Sequence, residues 1–222
     1  MWNVLLAVFM LCFAAPEQPM KTLFVLGDSI SMHYGPYLEE DLQGTFEYDR
    51  KRDDAGVSDL GVPEGPNGGD SRMVLEYLKA RRADASFRPD ILLLNCGLHD
   101  IKRNLEREKG IQVASEQYRK NLEEIYSLSV EMGTRLIWVR TTPVVDRIHN
   151  SQSRQFHRYE ADLTLYNEIA DSVFQNHQVP IVDLNRFTKG MGEEAFSDHV
   201  HFHQEVRALQ AAFIAGFLQH FR

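Results

Sequence analysis

Apolar residues along this chain come in two rhythms. Short continuous runs at Leu23 to Leu26, Ile91 to Asn95, Leu136 to Arg140 and Ile181 to Leu184, with a weaker one at Thr45 to Tyr48, are of strand length. They show little polar alternation, as expected of strands buried on both faces. Between them, apolar side chains recur every three or four positions, which marks a helix with one buried face. Met73, Val74, Tyr77 and Leu78 make one such stripe, and Tyr118, Leu122, Ile125, Leu128 and Met132 make a second that closes at Gly133, a suitable residue just past a helix end. Tyr159, Leu163, Tyr166, Ala170 and Val173 form a third, and Val206, Leu209, Phe213 and Phe217 a fourth. All four read as core.

Strands alternating with helices predict a parallel sheet covered on both faces. The expected fold is a flavodoxin-like three-layer α/β/α sandwich with a five-stranded parallel sheet. A chain of 222 residues fits a single hydrophobic core, so residues 21–222 are expected to form one domain. Two stretches interrupt the rhythm. Residues 53–70 are rich in Gly, Pro, Asn and Asp and too long for an ordinary connection, so they are expected to border a site. Residues 143–157 read as a polar insertion without helical periodicity.

The first residues follow neither rhythm. Val4 to Ala15 is an unbroken apolar run followed by Pro16 and Glu17, too short to cross a bilayer and of the length of a secretory h-region. Residues 1–15 therefore read as a signal peptide and the protein as exported, to the periplasm or the extracellular space. An uncleaved N-terminal anchor is the alternative, since only the terminal amine precedes the run as a positive charge. Loss of the leader removes Cys12 and leaves Cys96 without an intramolecular disulfide partner. Cys96 ends an apolar strand and reads as a small packed hydrophobe.

A formal charge of −8 argues against a polyanionic partner, because nucleic-acid binding depends on clustered Lys and Arg. Mixed runs such as Lys51, Arg52, Asp53, Asp54 read as solvated faces. Neither a phosphate-binding loop nor a dinucleotide fingerprint is present, so no nucleotide cofactor is expected.

In an open parallel sheet the site lies beyond the carboxyl ends of the strands. Four segments there carry chemistry: Gly27-Asp28-Ser29-Ile30-Ser31, Asn67-Gly68-Gly69-Asp70-Ser71, Gly97-Leu98-His99-Asp100 and Asp198-His199-Val200-His201-Phe202. A serine hydroxyl becomes a good nucleophile only when a base takes its proton. Ser29 after Gly27 would sit at a helix start, where its own N–H can meet a developing oxyanion; equally, Ser29 or Ser31 could merely cap that helix. Asp198 and His201 lie three residues apart, close enough on a turn to hydrogen-bond. Asp198 could instead cap the last helix, and His199 or His203 could be the base. Alternating His199, His201 and His203 also allow a metal reading, which a lone thiol and a nearby serine make less apt than a triad; no metal or other cofactor is expected.

The ordered set, GDSI near the start, the glycine at Gly69, GLHD at strand three and D-x-x-H before the final helix, resembles the sequence blocks of the SGNH (GDSL-type) hydrolases over essentially the whole chain after the leader. The resemblance implies Ser29 as nucleophile and Asp198 and His201 as its relay. It also implies an oxyanion hole made of the Ser29 and Gly69 amides and a side chain at the asparagine of G-x-N-D. That position is His99 here, a departure from the pattern. His99 either donates in place of the asparagine or packs as a neutral imidazole, leaving backbone donors alone; Asp100 reads as a tie for loop backbone. The implied activity is hydrolysis of small-molecule or carbohydrate carboxylic esters through an acyl-serine, with short acyl groups such as sugar O-acetyl. An acyltransferase, a lysophospholipase and a catalytically silent carbohydrate-binding protein are the alternatives.

Overall fold

The computed structural model describes residues 19–52, 65–105 and 110–222. Residues 1–15, expected to be a leader and including Cys12, and most of the Gly/Pro-rich stretch, at 53–64, lie outside the described residues. The elements in chain order are β1 (Lys21–Leu26), α1 (Ser29–Asp41), β2 (Phe46–Arg50), α2 (Ser71–Arg82), β3 (Ile91–Leu94), β4 (Arg103–Asn104), α3 (Ser115–Glu131), β5 (Arg135–Val139), α4 (Asp146–Gln152), β6 (Phe156–His157), α5 (Glu160–Asn176), β7 (Ile181–Val182), α6 (Leu184–Lys189) and α7 (Gln204–Leu218). Five strands form one sheet in the order β2-β1-β3-β5-β7, every pair parallel. Helices α1 and α7 pack together, and so do α2, α3 and α5, giving the expected α/β/α layering.

The continuous apolar runs explain the centre of this sheet. Leu23 to Leu26 and Ile91 to Leu94 are buried along their length and pair in register from Leu23↔Ile91 to Leu26↔Leu94. A strand with helices on both faces must be apolar on both, and these two are. In this strand order the direction of winding reverses between β1 and β3, the point beyond whose carboxyl ends ligands bind in open parallel sheets. No helix among the described residues is long and apolar enough to cross a membrane.

Four sequence expectations are corrected. The C-terminal stripe is rotated: α7 buries Val206, Gln210, Ala211, Ile214, Ala215 and Leu218, while Leu209 is 51% exposed and Phe213 stacks on Phe187 of α6 at 4.2 Å. That helix is apolar almost all round, so periodicity alone does not choose its inner face. In α2, Val74, Leu75 and Leu78 face the core and Met73 is exposed. Leu184 belongs to a helix and not to a strand, because the Asp183 side chain accepts the Arg186 amide and starts α6. The stretch 143–157 is not irregular: it holds the seven-residue α4 and then β6, which pairs antiparallel with β4. Its regularity is tertiary in origin, since Asp146 Oδ1 accepts the Glu160 amide at 2.6 Å and so joins α4 to the start of α5.

Cys96 is fully buried, and its thiol is pushed well above the usual range by burial. Such a thiol stays protonated and packs.

Candidate active site

The turn after β1 is tight because a side chain at residue 27 has no room: a Cβ there would lie 2.9 Å from Ser31 Cβ. Asp28 then starts α1, its Oδ1 accepting the Ile30 amide at 3.0 Å. Ser31 turns inward as well, donating its hydroxyl to the Asp28 carbonyl at 2.7 Å. Capping is thus done by Asp28, which leaves the Ser29 hydroxyl for other work. Ser29 is the first residue of the helix, and its amide, like every first-turn amide, has no acceptor within the helix.

Ser29 Oγ lies 2.9 Å from His201 Nε2, across 172 positions of sequence. On the far side of the ring, His201 Nδ1 lies 2.8 Å from Asp198 Oδ2. A proton on Nδ1, donated to the carboxylate, leaves Nε2 as the acceptor for the serine hydroxyl. Asp198 Oδ1 accepts the Val200 and His201 amides, each at 2.7 Å. Burial pushes the Asp198 carboxyl upward, but those two amides and the His201 ring outweigh it and lower its pKa to about 2. The carboxylate is therefore ionised at any ordinary pH.

The other two histidines of the tail are placed differently. His199 meets His149 edge to face at 4.7 Å, and His203 stands at the N-cap of α7. His201 also packs against His33, ring centroids 4.7 Å apart, whose pKa is brought down to about 4 by burial and then by His201 and Arg207, against Asp198. His33 is a site neighbour that sequence reading missed; four positions after Ser29 on one helix, it shares the serine's face, and that spacing was the available signal.

The second block packs directly onto the first. Gly68 donates its amide to the Gly27 carbonyl at 2.8 Å, and a Cβ on Gly68 would come within 3.0 Å of that oxygen. Gly69, with φ +71°, donates its amide to Asn67 Oδ1 at 2.9 Å. The Gly69 amide therefore already has an acceptor, and to serve an oxyanion it must be shared with Asn67 or released by it.

His99 sits in the loop after β3 and is 5% exposed. Burial, then Lys102, Arg158 and His201, lower its pKa well below the usual imidazole value, so the ring is neutral with one N–H to give. That ring bonds no other protein group among the described residues. Asp100 ties backbone, its carboxylate accepting the Ser71 amide at 2.9 and 3.1 Å; burial raises its pKa to about 7, against the bonds from Ser71. Gly97 (φ +150°) admits no side chain, since a Cβ would lie 2.5 Å from Thr141 Oγ1.

Chemically, this is a hydroxyl, an imidazole and a carboxylate in line, beside a free first-turn amide and a neutral imidazole donor. Among the described residues no group of three or more His, Cys, Asp or Glu is disposed to hold a metal.

The sequence family described as GDSL-like lipase/acylhydrolase matches residues 23–214. Among solved structures, the chain is similar to a lipase/acylhydrolase from Enterococcus faecalis (17% identity, 91% of this chain and 97% of that one, TM-score 0.64). It is similar to the acetyl xylan esterase AlAXEase (15% identity, 89% and 99%, TM-score 0.65). A GDSL-like lipase from Bacteroides thetaiotaomicron gives 15% identity, 91% and 89% coverage, and a TM-score of 0.66. At such identities these likenesses speak for the fold. No curated protein matches the sequence.

Proposed function

Because this chain belongs to the GDSL-like lipase/acylhydrolase family, we propose that it is a serine esterase that cleaves carboxylic esters through an acyl-Ser29 intermediate. The observation that carries the reading is the line of contacts from Ser29 Oγ to His201 Nε2 at 2.9 Å and from His201 Nδ1 to Asp198 Oδ2 at 2.8 Å.

In the first half-reaction His201 Nε2 takes the hydroxyl proton as Ser29 Oγ bonds to the ester carbonyl carbon. The carbonyl oxygen becomes an oxyanion, stabilised by the Ser29 amide, by the His99 N–H and by the Gly69 amide as Asn67 yields it. Asp198 holds the imidazolium in its tautomer without taking the proton. Collapse breaks the carbon–oxygen bond to the alcohol, which leaves with the proton from His201. Water then attacks the acyl-serine, giving its proton to His201, and the acid departs as Ser29 regains its hydrogen.

The substrates we assign are short acyl esters, O-acetyl groups on carbohydrate first among them. The fold likeness to an acetyl xylan esterase supports this by analogy alone. The apolar run from Val4 to Ala15 supports export of the chain, with residues 1–15 as the cleaved leader. N-terminal mass analysis of the secreted product tests it, and intact Met1 in the cell-associated protein would count against cleavage.

A panel of aryl esters of increasing acyl length and of acetylated sugars, run on wild type and Ser29→Ala, tests the function. The expected pattern is release of free acid, fastest with acetyl, lost in the variant. Full turnover by Ser29→Ala would remove Ser29 from the mechanism; transfer of the acyl group to an added sugar in place of water would make the protein a transferase.

A further inference from the structure

The loop that carries His99 is gripped from outside. The Leu98 carbonyl, one residue before it, accepts a hydrogen bond from Arg158 Nε at 2.6 Å. Arg158 follows β6, at the end of the stretch that looked irregular in sequence, and is only 4% exposed. Its Nη1 donates to His149 Nε2 at 2.9 Å. An acceptor Nε2 places the His149 proton on Nδ1, which lies 3.1 Å from Asn150 Oδ1 and donates to it. The same Asn150 oxygen accepts the Arg158 backbone amide at 3.0 Å. His149 is fully buried, and burial followed by Arg158 brings its pKa down to about 3, in keeping with a permanent acceptor. Asn150, His149 and Arg158 therefore close a ring of hydrogen bonds with a single arm reaching out to Leu98.

That arrangement is costly. Among the described residues no carboxylate lies within ion-pair distance of the guanidinium, although Asp28 acts on it from further away. The Phe156 ring, 4.8 Å from the guanidinium carbon, offsets part of the cost, but burying a cation without a carboxylate still costs several kcal/mol, and an apolar side chain would fill the space without that penalty. What an apolar side chain cannot do is donate in two directions from one rigid plane. The direction matters, because one donor is spent on the His149 ring that anchors Arg158 and the other on the backbone that carries His99.

We infer that Arg158 is a positioning residue for the oxyanion side of the site. Through the Leu98 carbonyl it fixes the height of the His99 ring at the rim beside Ser29 and His201, and residues 143–158 are thereby part of the active-site machinery. The inference rests on the esterase reading for its kinetic test, and on structure alone for its spectroscopic one.

Arg158→Lys keeps the charge but cannot bond Leu98 and His149 together in one plane. Kinetics on p-nitrophenyl acetate are expected to show kcat lower on the order of ten-fold with KM little changed, as a displaced donor would give. The variant Arg158→Lys/His99→Ala is expected to be no slower than His99→Ala alone, since Arg158 acts through His99. A kcat for Arg158→Lys within two-fold of wild type would overturn the inference, and so would losses that multiply in the double variant. Nitrogen-15 NMR of the histidine rings reads the same question without substrate: Arg158→Lys displaces the His99 ring signals, and unmoved signals would overturn the inference. If wild type cleaves no ester, the functional reading fails and the ring signals alone decide this one. Thermal unfolding of each variant confirms that folded protein is being compared, and Asn150→Ala, which loosens the ring without disturbing the buried charge, replaces Arg158→Lys if the latter does not fold, with the same expected and contradicting results.

Discussion

The loop that carries Asp198 and His201 and the loop that carries His99 are near enough for His201 to act on the His99 ring but are held in opposite ways. In the first, the chain supplies its own geometry within four residues: Asp198 takes the Val200 and His201 amides on one oxygen and the His201 ring on the other. In the second, local backbone turns are present, Ile101 donating to the Gly97 carbonyl at 3.0 Å, but the side chains that fix the loop are distant. Asp100 holds the Ser71 amide 29 positions away, Leu98 is held by Arg158 60 positions away, and Gly97 fits against Thr141. A local arrangement needs only its own few residues to be correct. A distributed one needs the whole carboxyl edge of the sheet assembled, so its accuracy is a property of the fold.

Breaking the local loop should have the largest effect. Asp198→Asn is expected to lower kcat on the order of 10⁴-fold through the wrong histidine tautomer, a loss far larger than its modest destabilisation explains. A loss below ten-fold in steady-state kinetics would mean that the carboxylate does not orient His201. On the distributed side, His99→Ala is expected to cost on the order of 10² in kcat with KM nearly constant, the loss typical of one oxyanion donor. An unchanged kcat would assign His99 to packing. Asp100→Ala should reverse the balance between activity and stability: it leaves the buried Ser71 amide unpaired and costs about 1–3 kcal/mol in denaturant unfolding. Equal destabilisation by Asp198→Asn would erase the contrast between the two loops.

The smallest effect is in the response to pH, and His33 of α1, which packs against the first loop, and Asp100 of the second should differ in its sign. His33, packed against His201, has a folded pKa of about 4, below its ordinary 6.5. Between those values the unfolded chain binds more protons, so the stability His33 contributes is complete above 6.5 and is lost as pH falls toward 4. Asp100 has a folded pKa of about 7, above 3.8, so its contribution is complete below 3.8 and is lost as pH rises through 7. Unfolding curves from pH 4 to 7 should therefore show His33→Phe gaining on wild type toward acid and Asp100→Asn gaining toward neutrality. Parallel curves would contradict both assignments.

The same contrast governs what could be read from sequence. The central strands were legible because Leu23 to Leu26 and Ile91 to Leu94 are apolar without interruption, which only a doubly covered strand requires. The convergence of Ser29, Asp198 and His201 was legible because each lies in a short segment whose local chemistry is complete or nearly so. Arg158, His149 and Asn150 were not, since nothing in the string Phe156-His157-Arg158-Tyr159 distinguishes a buried guanidinium from a solvated one. Helix α4 escaped for a related reason: it has no side-chain cap of its own, its Asp146 is spent on the first amide of α5, and its seven residues are too few for periodicity to register. The inner face of α7 was misjudged because Gln210, fully buried and bonded to Thr188 at 3.1 Å, lies where a polar side chain argues for solvent. The asparagine-to-histidine departure at position 99 was visible, but its consequence depended on a neutral, unpartnered ring that only the folded environment defines.

The central claim is that Ser29 is the atom donor of a covalent intermediate, activated by His201. Its most direct measurement is intact and peptide mass analysis after incubation with an alkyl p-nitrophenyl phosphonate, which traps an activated serine as a stable ester. The account predicts one adduct per chain, on the peptide containing Ser29, and almost none in His201→Ala. An adduct on another residue, or unimpaired ester hydrolysis by a protein that never becomes labelled at Ser29, would contradict it.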